Sequence, residues 1–194
     1  MRSLKRRATP RAAIGVVVVA LTLGLLGPPA AADTLVVPDR AGDGQGLGDV
    51  RALRLSQAGE RVLAQVRTAR GVDIDSAPTW TTPGSSTLLR FNFDTNADGL
   101  IDWAVLVEPG ASGAHATLMG IAQSPAPRLP VACVILSQPE PTVIRIKVLM
   151  GCIGLPEHVR AFSRYWFDAG GNGSVDSIDR APNAGYTGSL PLSN

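Results

Sequence analysis

From Asp49 onward the chain is written in short runs of β-branched and apolar residues, separated by clusters of Gly, Pro, Asp and Asn. No stretch carries a sustained 3.6-residue period, so the pattern predicts strands rather than helices. Eight strands are expected: Val50–Ser56, Arg61–Thr68, Thr87–Phe93, Trp103–Val107, Ala114–Ala122, Val131–Ser137, Thr142–Met150 and Val159–Phe167. The second and seventh alternate most clearly. Val62, Ala64 and Val66 share one face of the second, and Ile144, Ile146 and Val148 share one face of the seventh. Half-apolar strands without helices predict an all-β fold, an antiparallel two-sheet β-sandwich in which each sheet buries one face. The Gly- and Asp-rich stretch 33–48 is expected to be irregular, 49–182 to form the sandwich, and 183–194 to be a C-terminal tail.

Ahead of this domain lies a different pattern. Arg2, Lys5, Arg6, Arg7 and Arg11 precede the apolar run Ala12–Leu26, and Pro28-Pro29 leads to Ala30-Ala31-Ala32. These three regions in order predict a signal peptide over 1–32, cleaved before Asp33. The apolar run is shorter than the ~20 residues a membrane-spanning helix needs, so no stable membrane insertion is expected after cleavage. The expected localisation is secreted.

Cleavage also changes the charge. The full chain has 18 Lys+Arg and 16 Asp+Glu; five basic residues and no acids leave with the leader, giving 13 − 16 = −3. No run of sequence interleaves basic and aromatic residues, so nucleic acid is not expected as a partner. Two cysteines exclude a four-cysteine zinc site, and export into an oxidising compartment predicts a Cys133–Cys152 disulfide. A hairpin centred on Gln138-Pro139-Glu140-Pro141 would set Cys133 opposite Ile146, so the bond is not expected to bridge a hairpin rung.

The clearest chemical signal is Asp94-Thr95-Asn96-Ala97-Asp98-Gly99-Leu100-Ile101-Asp102, a D-x-N-x-D-G-x-x-D loop between two predicted strands. Ca²⁺ prefers six to eight oxygens. The side chains of Asp94, Asn96, Asp98 and Asp102, with the carbonyl of Leu100, could supply them if Gly99 lets the loop curl. Position 12 is Val105 rather than Glu and the flanks are strands, so this is no EF-hand. The loop resembles the calcium hairpins of integrin-type and FG-GAP repeats, and the resemblance implies bound Ca²⁺ in a structural role. The competing reading is a hairpin turn whose Asx side chains hold their own backbone. A weaker echo, Asp168 to Asp176, keeps Asp168, Asn172 and Asp176 but has Gly170 in place of the third donor. Convergence on a common hairpin turn is the preferred reading, and a depleted second metal site, with Asp179 available to compensate, is the alternative.

Catalytic motifs are sparse. His115 and His158 show no metal-ligand spacing, and there is no G-x-S-x-G elbow. Glu108 with Asp102 or Glu140 offers only a generic carboxylate pair for glycoside hydrolysis.

Gly48-Asp49-Val50, Phe91-Asn92-Phe93-Asp94, Val131-Ala132-Cys133, the stretch Met150-Gly151-Cys152-Ile153-Gly154-Leu155-Pro156 and Asp179-Arg180-Ala181-Pro182 together resemble small secreted actinobacterial sandwiches. These are similar to carbohydrate-binding-module family 9 and DOMON-like domains. The resemblance implies the fold and an accessory character. The first functional reading is a calcium-stabilised binding or accessory module with a glycan or an envelope protein as partner; Trp80 is its best sugar-platform candidate, with packing over the sandwich edge as the more ordinary fate of that side chain. A secreted carboxylate-dependent hydrolase and an envelope protein-interaction domain are the alternatives.

Overall fold

Alternation in the second and seventh predicted segments does what it predicts. Val62, Ala64, Val66, Ile146 and Val148 are fully buried and Ile144 nearly so, while the intervening residues point to solvent. The computed structural model describes residues 33–44, 48–121 and 129–193. The predicted leader, 1–32, lies outside them.

The strands are β1 (Thr34–Pro38), β2 (Val50–Ala58), β3 (Arg61–Thr68), β4 (Leu88–Asp94), β5 (Trp103–Glu108) and β6 (His115–Gly120), followed by β7 (Val134–Glu140), β8 (Val143–Leu149), β9 (His158–Phe167), β10 (Ser177–Ala181) and β11 (Leu190–Pro191). One short helix, α1 (Pro78–Thr81), lies between β3 and β4. A five-stranded sheet runs β1-β2-β3-β8-β7, and a six-stranded sheet runs β10-β9-β4-β5-β6 with β11 also on β9. All strand pairings are antiparallel. The molecule is a β-sandwich. Leu53, Leu55, Val66 and Ile146 from one sheet meet Phe91, Phe93, Val105 and Tyr165 from the other in one core.

Three expectations need correction. Residues 33–48 are not wholly irregular, because Thr34–Pro38 pairs with β2 as an edge strand, Thr34 opposite Ser56. The tail is not free of structure either: Leu190 pairs with Val159, and Thr187 exchanges hydrogen bonds with Ala161. Residues 131–133 are a 3₁₀ turn rather than the start of a strand.

That turn holds Cys133, and a second 3₁₀ turn, Met150–Ile153, holds Cys152. The two cysteines are paired, with Cα atoms 5.8 Å apart. Leu136 rather than Cys133 faces Ile146, because β7 runs on to Glu140, which pairs with Val143, and the turn is at Pro141-Thr142 instead of being centred on 138–141. The bond thus joins the two turns at the ends of β7 and β8 and crosses no rung.

Both ends of the described chain return to β2. Thr34 lies beside Ser56, and Gln57 binds Ser193 through Nε2 to its carbonyl (2.6 Å) and Oε1 from its amide (2.8 Å).

Candidate functional site

The D-x-N-x-D-G-x-x-D segment is the loop of the β4–β5 hairpin, closed by the Asp102 amide donating to the Phe93 carbonyl at 2.9 Å. Asp94 ends β4 and is 1% exposed. Its Oδ1 accepts from the Ala97 amide (2.7 Å) and its Oδ2 from the Gly99 amide (3.0 Å). Gly99 at φ 89° makes that approach without the cost a side chain would bring. Asn96 Oδ1 accepts from the Asp98 amide (3.0 Å), and Asp98 Oδ1 from the Leu100 amide (2.7 Å). Asp102 Oδ2 takes both the amide (2.7 Å) and the hydroxyl (2.8 Å) of Thr95.

A cation already stands at Asp94: the Arg160 guanidinium of β9 donates to its Oδ2. Burial opposes the charge on Asp94, but the bonds from Arg160, Gly99 and Ala97 outweigh it and hold its pKa below the usual carboxylate range. The side chains serve the loop's own backbone, as the Asx-turn reading requires. Asp98 Oδ2 and Asp102 Oδ1 do both approach the Asn96 amide nitrogen, at 3.1 and 3.5 Å.

The loop from Asp168 to Asp176, in the β9–β10 hairpin, repeats this scheme. Asp168 Oδ2 accepts from Gly173 (2.7 Å), Asn172 Oδ1 from Ser174 (2.9 Å) and Asp176 Oδ2 from Ala169 (2.7 Å). The Asp176 amide closes the loop onto the Phe167 carbonyl at 2.8 Å. Since β4 pairs with β9 so that Arg90 faces Arg164, a local twofold through that pair carries one hairpin onto the other. The echo in the sequence is therefore structural. At the related position Asp168 receives the Ser86 amide (3.1 Å) where Asp94 receives Arg160. Burial is outweighed here by the amides of Ser86, Gly173 and Asn172, so the Asp168 pKa also lies low.

Asp179 does not join this loop. It sits on β10, 4% exposed, and gathers with Asp39, after β1, and Asp43, so that one oxygen of each lies within 4.8 Å of the others. Among the described residues this is the acidic group that closes to metal-binding spacing, and the loop acids Asp94, Asp98 and Asp102 do not. Asp179 Oδ2 accepts from the Val50 amide (2.6 Å) and its Oδ1 from the Arg180 amide (2.7 Å). Asp43 Oδ2 accepts from Asn183 (2.5 Å), while Asp39 Oδ2 is buried with no partner. A Cβ on Gly44 would stand 2.7 Å from Asp179 Oδ2, so the backbone passes where no side chain fits. Burial, then the neighbouring Asp179 charge, pushes Asp39 up to about 6. Burial also raises Asp179 despite its two amide bonds, with the Asp43 and Asp49 charges adding to the rise. Sequence reasoning missed this cluster because Asp179 lies over a hundred residues from Asp39 and Asp43, and 33–48 reads as a surface loop.

Trp80 is no platform. It is fully buried, delivered into the core by α1 and stacked on Tyr165 with centroids 6.1 Å apart. A shallow cleft of about 330 Å³ is lined by Thr95, Asp102, Trp103, Gly120, Ile153, Gly154 and Pro156. Asp102 is its one carboxylate. Asp102 and Glu108 flank β5 at opposite ends, roughly 20 Å apart at the strand rise per residue. Asp102 and Glu108 are therefore not brought together. Glu140 pairs with Arg67 at 3.2 Å.

No protein-family model matches the chain, and no curated protein and no solved structure matches it.

Proposed function

We propose that the protein is an exported β-sandwich module of binding or accessory type, stabilised by one Ca²⁺ held at Asp39, Asp43 and Asp179. The observation that carries the cation is the Asp39 Oδ2 atom, buried without a partner beside two further carboxylates. Such a like-charged group is costly unless a cation or protons neutralise it. An all-oxygen set of three carboxylates suits a hard divalent ion and offers no nitrogen or sulfur to a transition metal. The ion would fasten the segment after β1 to β10, tying one sheet to the other. The 94–102 loop fits calcium less well, because Arg160 occupies the charge of Asp94.

Export is supported by the basic, apolar and A-x-A order of residues 1–32 and by the paired cysteines. A binding role is favoured over hydrolysis by the separation of the acids and by a cleft with a single carboxylate.

Thermal melting of the secreted protein tests the cation. Calcium is expected to raise the melting temperature relative to chelator, Asp179→Asn to abolish the shift, and Asp98→Ala to preserve it. Loss of the shift in Asp98→Ala with retention in Asp179→Asn would move the ion to the 94–102 loop. No shift in the parent protein would remove the cation.

A further inference from the structure

The outer face of the six-stranded sheet carries an arrangement that no run of sequence shows. Arg90 on β4 faces Arg164 on β9, and Arg164 faces Arg180 on β10, so three arginines form one row across three adjacent strands. Like charges directly opposite each other weaken a sheet unless something compensates. Among the described residues none of the three makes an ion pair, although Arg51, Arg67 and Arg160 do. Burial, and then the Arg164 charge, lowers the pKa of Arg90. The Nε atoms of Arg90 and Arg180 are buried without acceptors. One rung along, Asn92 is 1% exposed with both amide atoms unpartnered.

The row is also held in shape. Arg180 stacks on Phe162 at 4.3 Å and Arg164 on Trp166 at 5.4 Å, so the guanidinium groups lie against rings instead of ranging through solvent. Arg180 Nη2 is further fixed by the Gly185 carbonyl at 2.6 Å. Arg164 is exposed and the other two are half-buried. Arranged guanidinium groups are well matched to carboxylates, which they bind through paired hydrogen bonds.

We propose that the Arg90–Arg164–Arg180 row binds a linear uronate-bearing polysaccharide laid across the strands. The inference deepens the binding-module reading by naming its ligand, and it does not depend on the calcium cluster. At the backbone the arginines are spaced by the strand separation of about 4.8 Å, and the guanidinium groups fan out along the strands, Arg164 towards Trp166 and Arg180 towards Phe162, so they present a band of positive charge across three strands. Two features select a single glycan chain over a membrane or a nucleic acid. Acidic loops flank the row at the two ends of the strands, Asp94 to Asp102 on one side and Asp168 to Asp176 on the other, and would repel a broad anionic surface. The rings of Phe162 and Trp166 each have a guanidinium over them, so they are poorly placed to stack bases.

Binding of the secreted protein to polygalacturonate, measured by titration calorimetry at low salt in chelator, tests this. Neutral dextran, phosphatidylglycerol vesicles and a single-stranded oligonucleotide serve as comparisons. Saturable binding to polygalacturonate alone is expected, weakening with salt, with affinity falling about tenfold or more in Arg90→Gln/Arg164→Gln. That variant should melt no lower than the parent, because a like-charge contact is removed; Arg164→Gln alone gives a second reading if the pair fails to fold. Absent binding to polygalacturonate, equal binding to vesicles or oligonucleotide, or affinity unchanged in the variants would overturn the proposal. Retention on a neutral glycan that ignores the arginine variants would overturn it too, while leaving the binding-module reading standing.

Discussion

Arg160 on β9 reaches across to β4 and neutralises Asp94, a carboxylate only 1% exposed, at the base of the β4–β5 loop. The twofold-related Asp168 has the Ser86 amide in that place. Two loops with one hydrogen-bond scheme thus differ in what balances their buried acid: a side-chain cation in one, a backbone amide dipole in the other.

Replacing Arg160 by Leu is expected to destabilise the fold by about 3 kcal/mol, since a buried carboxylate loses its partner. Urea denaturation at neutral pH measures it. The same variant should show a larger calcium-dependent rise in melting temperature than the parent, and Asp94→Asn should return the rise to the parent's size, because the cation's place at Asp94 is opened. Arg160→Leu with unaltered stability would show that the pair contributes little.

Opposite pH dependences meet in the molecule. Asp94 and Asp168 have folded pKa values below the ordinary range, so their stabilisation is present above about pH 4 and is lost as pH falls further. Asp39 is raised to about 6, and a raised acid binds its proton more readily in the folded state. Its stabilisation is present below about pH 4 and is lost as pH rises through 6. In chelator, the parent protein should therefore melt higher at pH 5 than at pH 7. Asp39→Asn should flatten that difference, and a parent profile that rises monotonically to pH 7 would contradict it.

The Cys133–Cys152 bond spans 19 positions and closes a loop that includes the whole β7–β8 hairpin. Cys133→Ala with Cys152→Ala should lower stability by about 3 kcal/mol on the chain-entropy account. Guanidinium unfolding of oxidised parent and double variant checks this. The two 3₁₀ turns that hold the cysteines should be the first to lose amide-exchange protection.

Trp80→Ala should cost about 3–5 kcal/mol, as a fully buried indole stacked on Tyr165 is removed. Polysaccharide affinity measured below the variant's melting temperature should be unchanged. A selective loss of affinity with normal stability would place Trp80 back at a ligand surface.

The central strands were legible because their apolar residues coincide with their buried positions, as in β3 and β8. β10 was illegible for the converse reason. Its buried positions are Ser177, Asp179 and Ala181, whereas Ile178 is 56% exposed, so the polarity pattern runs against the burial pattern. β1 is a half-exposed edge strand whose burial alternates only weakly. The Asp94 loop could be read as an acidic hairpin from nine residues, but its counter-charge lies 66 positions away. The Asp39 cluster exists only because the two sheets pack together, and the arginine row only through pairing register, which brings Arg90, Arg164 and Arg180 abreast although no local motif contains two of them.

Thr34 and Ser193 meet at neighbouring residues of β2, Ser56 and Gln57, and this has a practical side. A short linker from 193 back to 33 should give a circular permutant, with new ends opened at Gly59-Glu60 in the tight β2–β3 turn. For the same reason a carrier fused before Thr34 or after Ser193 emerges from one corner of the sandwich, beside β2 of the five-stranded sheet.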